Sequence, residues 1–306
     1  MSADSILVVG LNRSGTKWLS NILAQSDQVA AVTLAHQFGI LESNALHDFR
    51  RVFKKIERDD DYAGFVCLWS ETDYVRSTGI DRLDILRWKP RPTTVLAALS
   101  QLLDELREKQ GKQFWLQKCS PFQAQQFLLE LGDSTKVISI RRPFNSILES
   151  SVALKQQTNA NSSFGRDLVV NAIQSRLFSE VSRRPNALTV DFENLKSDPE
   201  TAVRQVCEFI GIEFSAAMLN TPFKQNTSFE KKQRLKLGFS QRWLSFFVRG
   251  LFAGLPLSLV NRIWIASRAK APIAIVRQTY HDLLLDSQEH ENSVEPAIDN
   301  PKDHPG

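Results

Sequence analysis

The run from Ile6 to Leu19 limits the fold more than any other part of the chain. Ile6-Leu7-Val8-Val9 is a short apolar run of the kind that forms a buried strand, and Thr16 to Gln25 has helical character. Between them lies Gly10-Leu-Asn-Arg-Ser-Gly15. A strand that breaks at a glycine-containing turn and enters a helix points backbone N–H groups, and the positive end of the helix, at one spot. That makes it a ready place for an anion. Gly10 and Gly15 let the backbone turn tightly and approach oxygen atoms closely. Arg13 and Lys17 add charge there, and Ser14 and Thr16 add hydroxyl donors.

The rest of the sequence continues the alternation. Strand-like runs at Phe114–Leu116, Lys136–Ile140 and Ala187–Val190 are interleaved with helical ones at Val95–Lys109, Phe122–Leu131, Asn145–Lys155, Phe164–Val181 and Pro199–Ile210. This pattern predicts a three-layer α/β fold, with a central, mostly parallel sheet and helices on both faces. Residues 1–285 are expected to form a single domain with a helical C-terminal part. Residues 286–306, rich in acids, Ser, Asn and Pro, are expected to be a disordered tail.

Charge narrows the partners without choosing among them. The net charge is +4, but the tail carries six acids against Lys302, and removing that −5 leaves +9 on the remainder. Such a surface suits a polyanionic ligand, nucleic acid or an anionic membrane equally well. No interleaved aromatic and basic stripe marks a nucleic-acid reader, so none is expected as a partner. Cys67, Cys119 and Cys207 stand far apart, which suggests neither a disulfide framework nor a thiolate metal site. With a strand starting at Ser5 and no signal-like leader, a cytoplasmic location is expected. The most apolar window, residues 243–266, is interrupted by Arg249, Pro256, Asn261 and Arg262. It therefore reads as buried helices rather than a membrane span, with a peripheral membrane contact as the lesser reading.

The glycine loop itself separates two chemistries. Nucleoside triphosphatases and kinases use Gly-x-x-x-x-Gly-Lys-(Ser/Thr), where the hydroxyl residue after lysine holds magnesium. Here Gly15 is followed by Thr16-Lys17-Trp18, so the lysine is one place late and no hydroxyl follows it. A kinase-like phosphotransferase is the alternative this order disfavours. A non-catalytic nucleotide- or nucleic-acid-binding protein is the other.

Asn12-Arg13-Ser14-Gly15-Thr16-Lys17-Trp18 resembles the loop of the sulfotransferase superfamily, Pro-(Arg/Lys)-Ser-Gly-Thr-(Thr/Ser)-(Trp/Leu). It departs at Asn12 and Lys17. Arg141-Arg-Pro143, at a strand end before a helix, looks like that family's 3′-phosphate segment. In strict register Glu149 takes the place of the family's serine, and Ser150 follows it. Lys118-Cys-Ser-Pro121 resembles the Lys-Thr-Pro turn. Asp191-Phe-Glu-Asn-Leu195 and Cys207-Glu-Phe-Ile-Gly211 resemble later, mainly architectural segments.

The resemblance implies a sulfotransferase-type P-loop-like architecture and 3′-phosphoadenosine 5′-phosphosulfate as co-substrate. It implies a cofactor set of Arg13, Ser14, Gly15, Thr16, Lys17, Trp18, Arg141 and Ser150. Arg13 and Lys118 would stabilise charge during transfer. The general base lies shortly after the first helix in the family, which points to His36 first and Glu42 second. No metal is expected, because the transferred sulfuryl group carries less charge than a phosphoryl group. The acceptor would be a hydroxyl or amine on a small molecule, carbohydrate or lipid. Lys231, Lys232 and Arg234 match the family's late basic loop only loosely. Trp69, Trp88, Tyr62 and Tyr74 are candidates to stack on an acceptor, with core packing as their other role.

Overall fold

Strands β1 (Ser5–Gly10), β2 (Val29–Ala31), β5 (Phe114–Cys119), β6 (Lys136–Arg141) and β7 (Ala187–Asp191) form one sheet in the order β2-β5-β1-β6-β7. Every neighbouring pair runs parallel. A separate antiparallel pair joins β3 (Thr33–Leu34) to β4 (Gly39–Ile40). The computed structural model describes residues 5–34, 39–43, 49–53, 55–157, 164–221 and 236–267.

Residues of β1 from Ile6 to Val9 are fully buried, as expected of a central parallel strand covered on both faces. Successive side chains point to opposite faces. Ile6 and Val8 pack with Ile138 and Ile140 against α1 (Thr16–Leu23) and α11 (Pro199–Ile210). Leu7, Val9 and Val137 pack against α6 (Val95–Lys109), α7 (Pro121–Leu131) and α9 (Phe164–Val181) on the other side. Among the described residues, helices α2 (Arg50–Val52), α3 (Asp59–Ser70), α4 (Asp73–Arg76) and α5 (Arg82–Leu86) lie between β4 and α6.

Local sequence sets the helix ends. Ser120 and Gln123 form a reciprocal cap at the start of α7, with Pro121 in the first turn. Asp198 accepts from the Thr201 N–H to open α11, and Gly211, at φ 87°, closes it.

The chain leaves β1 for β2 at one edge, returns to β5, then crosses β1 to reach β6 and β7. This reversal places a crevice at the carboxyl end of β1, between β5 and β6, where ligands of open parallel sheets bind. Register aligns the ends: Val9 lies opposite both Cys119 and Ser139, Gly10 opposite Ile140, and Arg141 opposite Asp191. Of the remaining helices, α8 (Phe144–Gln157) follows β6, α10 (Phe192–Ser197) follows β7, and α12 (Phe239–Gly254) and α13 (Leu257–Ser267) end the described chain.

The expected architecture is present, with a sheet that is wholly rather than mostly parallel. The sequence reading missed β2, and it placed the 243–266 stretch in the interior. That placement holds for Phe252, Val260 and Trp264, but Trp243, Phe246 and Phe247 are exposed. Tyr62, Trp69, Tyr74 and Trp88 are core residues. The Tyr62 hydroxyl donates to the Ile85 carbonyl at 2.5 Å, that of Tyr74 to Gln117, and the Trp88 indole to Glu105 at 2.6 Å. None of the four is available to stack on an acceptor. The expected tail, 286–306, lies outside the described residues.

Candidate functional site

The loop from Gly10 to Gly15 folds back on itself, with the Ser14 N–H donating to the Leu11 carbonyl at 3.1 Å. Two residues in it have left-handed backbone. Gly15 has φ 97° and Arg13 has φ 69°, a region that costs an ordinary side chain roughly 1–3 kcal/mol. Arg13 is held there from two directions. Its Nε donates to the Ser150 hydroxyl at 3.1 Å, and its carbonyl accepts from Arg142 Nη1 at 2.6 Å. A loop, a strand end and the first half of α8 are thereby tied into one unit.

The start of α1 is bare of capping side chains, because its N-cap is Gly15. Its first N–H groups are therefore directed at whatever occupies the loop. The Ser14 hydroxyl is fully buried and has no hydrogen-bond partner among the described residues. A buried hydroxyl with no partner costs about 1–3 kcal/mol, which a bound acceptor atom would recover. No larger residue fits the cradle. A Cβ on Gly10 would lie 2.3 Å from the Ser14 Oγ, and one on Gly15 would lie 2.5 Å from the Phe192 ring.

Phe192 forms the floor of this arrangement. The Arg142 guanidinium lies 4.6 Å over its ring, and Trp18 meets its edge at 6.5 Å and 74°. Burial lowers the pKa of Arg13 below its ordinary value. It also lowers that of Lys17, helped by the positive charge of Lys118 and opposed by Glu42. In water-poor surroundings such cations gain from an anionic partner.

A second group stands on the β5 side of the loop. The Lys118 ammonium, with its side chain largely buried, pairs with the Glu42 carboxylate. On the β6–β7 side, a cleft of about 400 Å³ is lined by Arg141, Arg142, Arg183, Arg249, Ser175 and Ser179, among others. Four arginines around one cleft make it suited to a phosphate.

The sequence-derived candidates divide accordingly. Arg13, Ser14, Gly15, Thr16 and Ser150 come together at the loop, while Lys17, Lys118 and Glu42 gather on its β5 side. Arg141 lines the cleft together with Asp191, with which it forms a two-pronged pair at 2.6 and 2.7 Å. Arg142, which the reading passed over, is the arginine that reaches the loop. Glu149 is turned away, accepting the Leu237 N–H at 3.1 Å and lying 3.6 Å from Arg242. Of the two neighbours, Ser150 is the one that faces the loop. His36, Lys231, Lys232 and Arg234 lie outside the described residues.

Residues 5–216 match a family model described as the sulfotransferase family. Solved structures similar to the chain include the sulfotransferase domain of a Synechococcus olefin synthase, at 15% identity over 83% of this chain and 97% of that one, with a TM-score of 0.47. A sulfotransferase from Mycobacterium tuberculosis matches at 15% identity over 83% and 78%, with a TM-score of 0.47. A mouse sulfotransferase complexed with PAP matches at 12% identity over 72% and 65%, with a TM-score of 0.38. Comparison with curated proteins gives no match.

Proposed function

The chain belongs to the sulfotransferase family, and on that premise we propose that it takes the sulfuryl group from 3′-phosphoadenosine 5′-phosphosulfate and delivers it to a hydroxyl or amine acceptor. The observation that carries the co-substrate assignment is the loop. A fully buried Ser14 hydroxyl, without a partner among the described residues, sits beside a helix N-terminus with no capping side chain and a guanidinium. The backbone N–H groups and the guanidinium donate only, the hydroxyl can also donate, and a sulfate or phosphate group supplies acceptor oxygens to them.

Residues Arg13 to Trp18 would hold the phosphosulfate end. Ser150 and the arginines of the neighbouring cleft, Arg142 and Arg141, would hold the 3′-phosphate end. The bound nucleotide supplies an activated sulfuryl group on a phosphate leaving group. Arg13 and Lys118 stabilise negative charge as it grows on the leaving oxygen, in surroundings where burial strengthens them. The acceptor proton is assigned to His36, with Glu42 as the second choice, since Lys118 already engages that carboxylate.

The test is turnover of radiolabelled 3′-phosphoadenosine 5′-phosphosulfate by the full chain with a panel of carbohydrate, lipid and phenolic acceptors. Acceptor-dependent release of adenosine 3′,5′-bisphosphate is expected. A pH–rate profile losing its acid limb in His36→Ala places the base there. Magnesium-dependent ATP turnover with no reaction on the phosphosulfate would overturn the assignment.

A further inference from the structure

Helix α12 presents an apolar face to solvent. Phe239, Trp243, Phe246, Phe247 and Leu251 recur at three- and four-residue spacing, which puts them on one side of the helix. Phe239 is 80% exposed and Phe246 76%, values far above those of aromatic residues that merely border a core. Leu259 and Ile265 extend the exposed apolar surface onto α13. Soluble monomers rarely display so many large apolar side chains together without a partner.

The opposite side of the pair is firmly anchored, so the exposure is not a sign of a loosely attached segment. Phe252, Val260 and Trp264 are buried in the main core, and Trp264 lies 5.9 Å from Phe122. The Ser245 hydroxyl donates to Asn145 at 2.7 Å, and the Leu237 N–H to Glu149.

Charge identifies the occupant. Residues 236–267 contain Lys236, Arg242, Arg249 and Arg262 and no Asp or Glu. On the helical wheel Arg242 and Arg249, seven residues apart, fall along one border of the aromatic face. No single helix among the described residues is long and apolar enough to cross a membrane; α12 and α13 reach that length and composition only together, across a bend of 117°. An apolar face with a basic border, on two helices that are each too short to span, bent sharply and anchored by Phe252, Val260 and Trp264 in the core, is the composition of an element that lies in the headgroup layer.

We propose that the α12 face docks on the surface of a bilayer carrying anionic headgroups, with Trp243, Phe246 and Phe247 inserted and Arg242 and Arg249 against the lipid phosphates. A two-fold pairing of this face with a second copy would set its basic border against itself, whereas an anionic surface complements it. Arg249 also lines the arginine cleft, so docking holds that edge of the site at the membrane. The proposal stands independently of the sulfuryl-transfer reading.

The experiment is sedimentation of the full chain with vesicles of phosphatidylcholine alone or with a quarter phosphatidylglycerol, at low and high salt. Binding to the anionic vesicles should be at least about tenfold tighter than to neutral ones and should weaken with salt. Phe247→Glu should lower it at least about tenfold, since a charge replaces an inserted ring. The same variant should keep the wild-type circular dichroism spectrum and melting temperature, which shows that it is folded. Brominated lipid should quench the wild type more than Trp243→Phe. Absence of vesicle binding, or Trp243 fluorescence untouched by brominated lipid, overturns the proposal. So does a stable dimer, seen by sedimentation equilibrium, that Phe247→Glu dissociates.

Discussion

The Nε of Arg13 donates to the hydroxyl of Ser150 across 3.1 Å, joining the β1–α1 loop to helix α8 over 137 positions of sequence. A hydrogen bond to a charged group contributes roughly 1.5–3 kcal/mol. Its larger effect is to hold a guanidinium, on strained backbone, in one orientation. Ser150→Ala is therefore expected to weaken adenosine 3′,5′-bisphosphate binding by roughly tenfold, the equivalent of about 1.4 kcal/mol. Glu149→Ala, one position away but turned to Leu237 and Arg242, should leave it within about twofold. Calorimetric titration of both variants separates the two positions.

Arg142 and Arg141 differ in what they are tied to. Arg142 is bonded to the Arg13 carbonyl and stacked on Phe192, so Arg142→Ala should weaken nucleotide binding and release the loop. Arg141 forms an exposed pair with Asp191, a type worth about 0–1 kcal/mol. Hydrogen bonding to Arg141 holds the Asp191 carboxyl below its usual pKa. The associated stability is present above the unfolded carboxylate value and is lost as pH falls through the depressed one. Asp191→Asn should thus lower stability at neutral pH by no more than about 1 kcal/mol and flatten the acid limb, so that its urea midpoints approach those of the wild type as pH falls below about 4.

Gly15→Ala meets two obstacles at once, a backbone at φ 97° and a ring 2.5 Å from the new Cβ. Left-handed strain alone costs about 1 kcal/mol or more, and Phe192 must also shift. The expected result is a drop in melting temperature together with loss of nucleotide binding. An alanine variant as stable as the wild type would show that the loop relaxes more easily than its contacts suggest.

Lys17 titrates below the ordinary lysine value of 10.5, because of burial first and Lys118 second. A cation losing its proton early loses its grip on an anion early. Bisphosphate affinity should therefore fall on the alkaline side before pH 10.5, and Lys17→Met should remove that dependence while weakening binding at neutral pH. Affinity flat to pH 10.5 in the wild type would remove Lys17 from the ligand's surroundings.

Much of this was legible in the sequence because it is local. Ile6 to Leu19 specifies a strand, a turn and a helix from neighbouring residues, and Arg13, Ser14 and Gly15 fall where that unit places them. Arg141 and Arg142 were harder to tell apart. Alternation along β6 ends at Arg141, and the turn into Pro143 then rotates the next side chain toward the loop. Glu149 and Ser150 were set by contacts from Leu237 and Arg242, almost a hundred residues away. The exposed face of α12 was illegible for another reason. A three-and-four spacing of apolar residues is the same whether that face meets a core or points outward.

The most direct measurement is titration of the full chain with adenosine 3′,5′-bisphosphate, beside adenosine 5′-monophosphate and magnesium ATP, followed by heat and by thermal stability. We expect saturable one-site binding of the bisphosphate, at least about tenfold tighter than the monophosphate because the arginine cleft takes the 3′-phosphate. Stabilisation should be about 2.7 kcal/mol at one hundred times the dissociation constant. No binding, or affinity no better than that of the monophosphate, would contradict the assignment of the loop and cleft to a 3′-phosphorylated nucleotide.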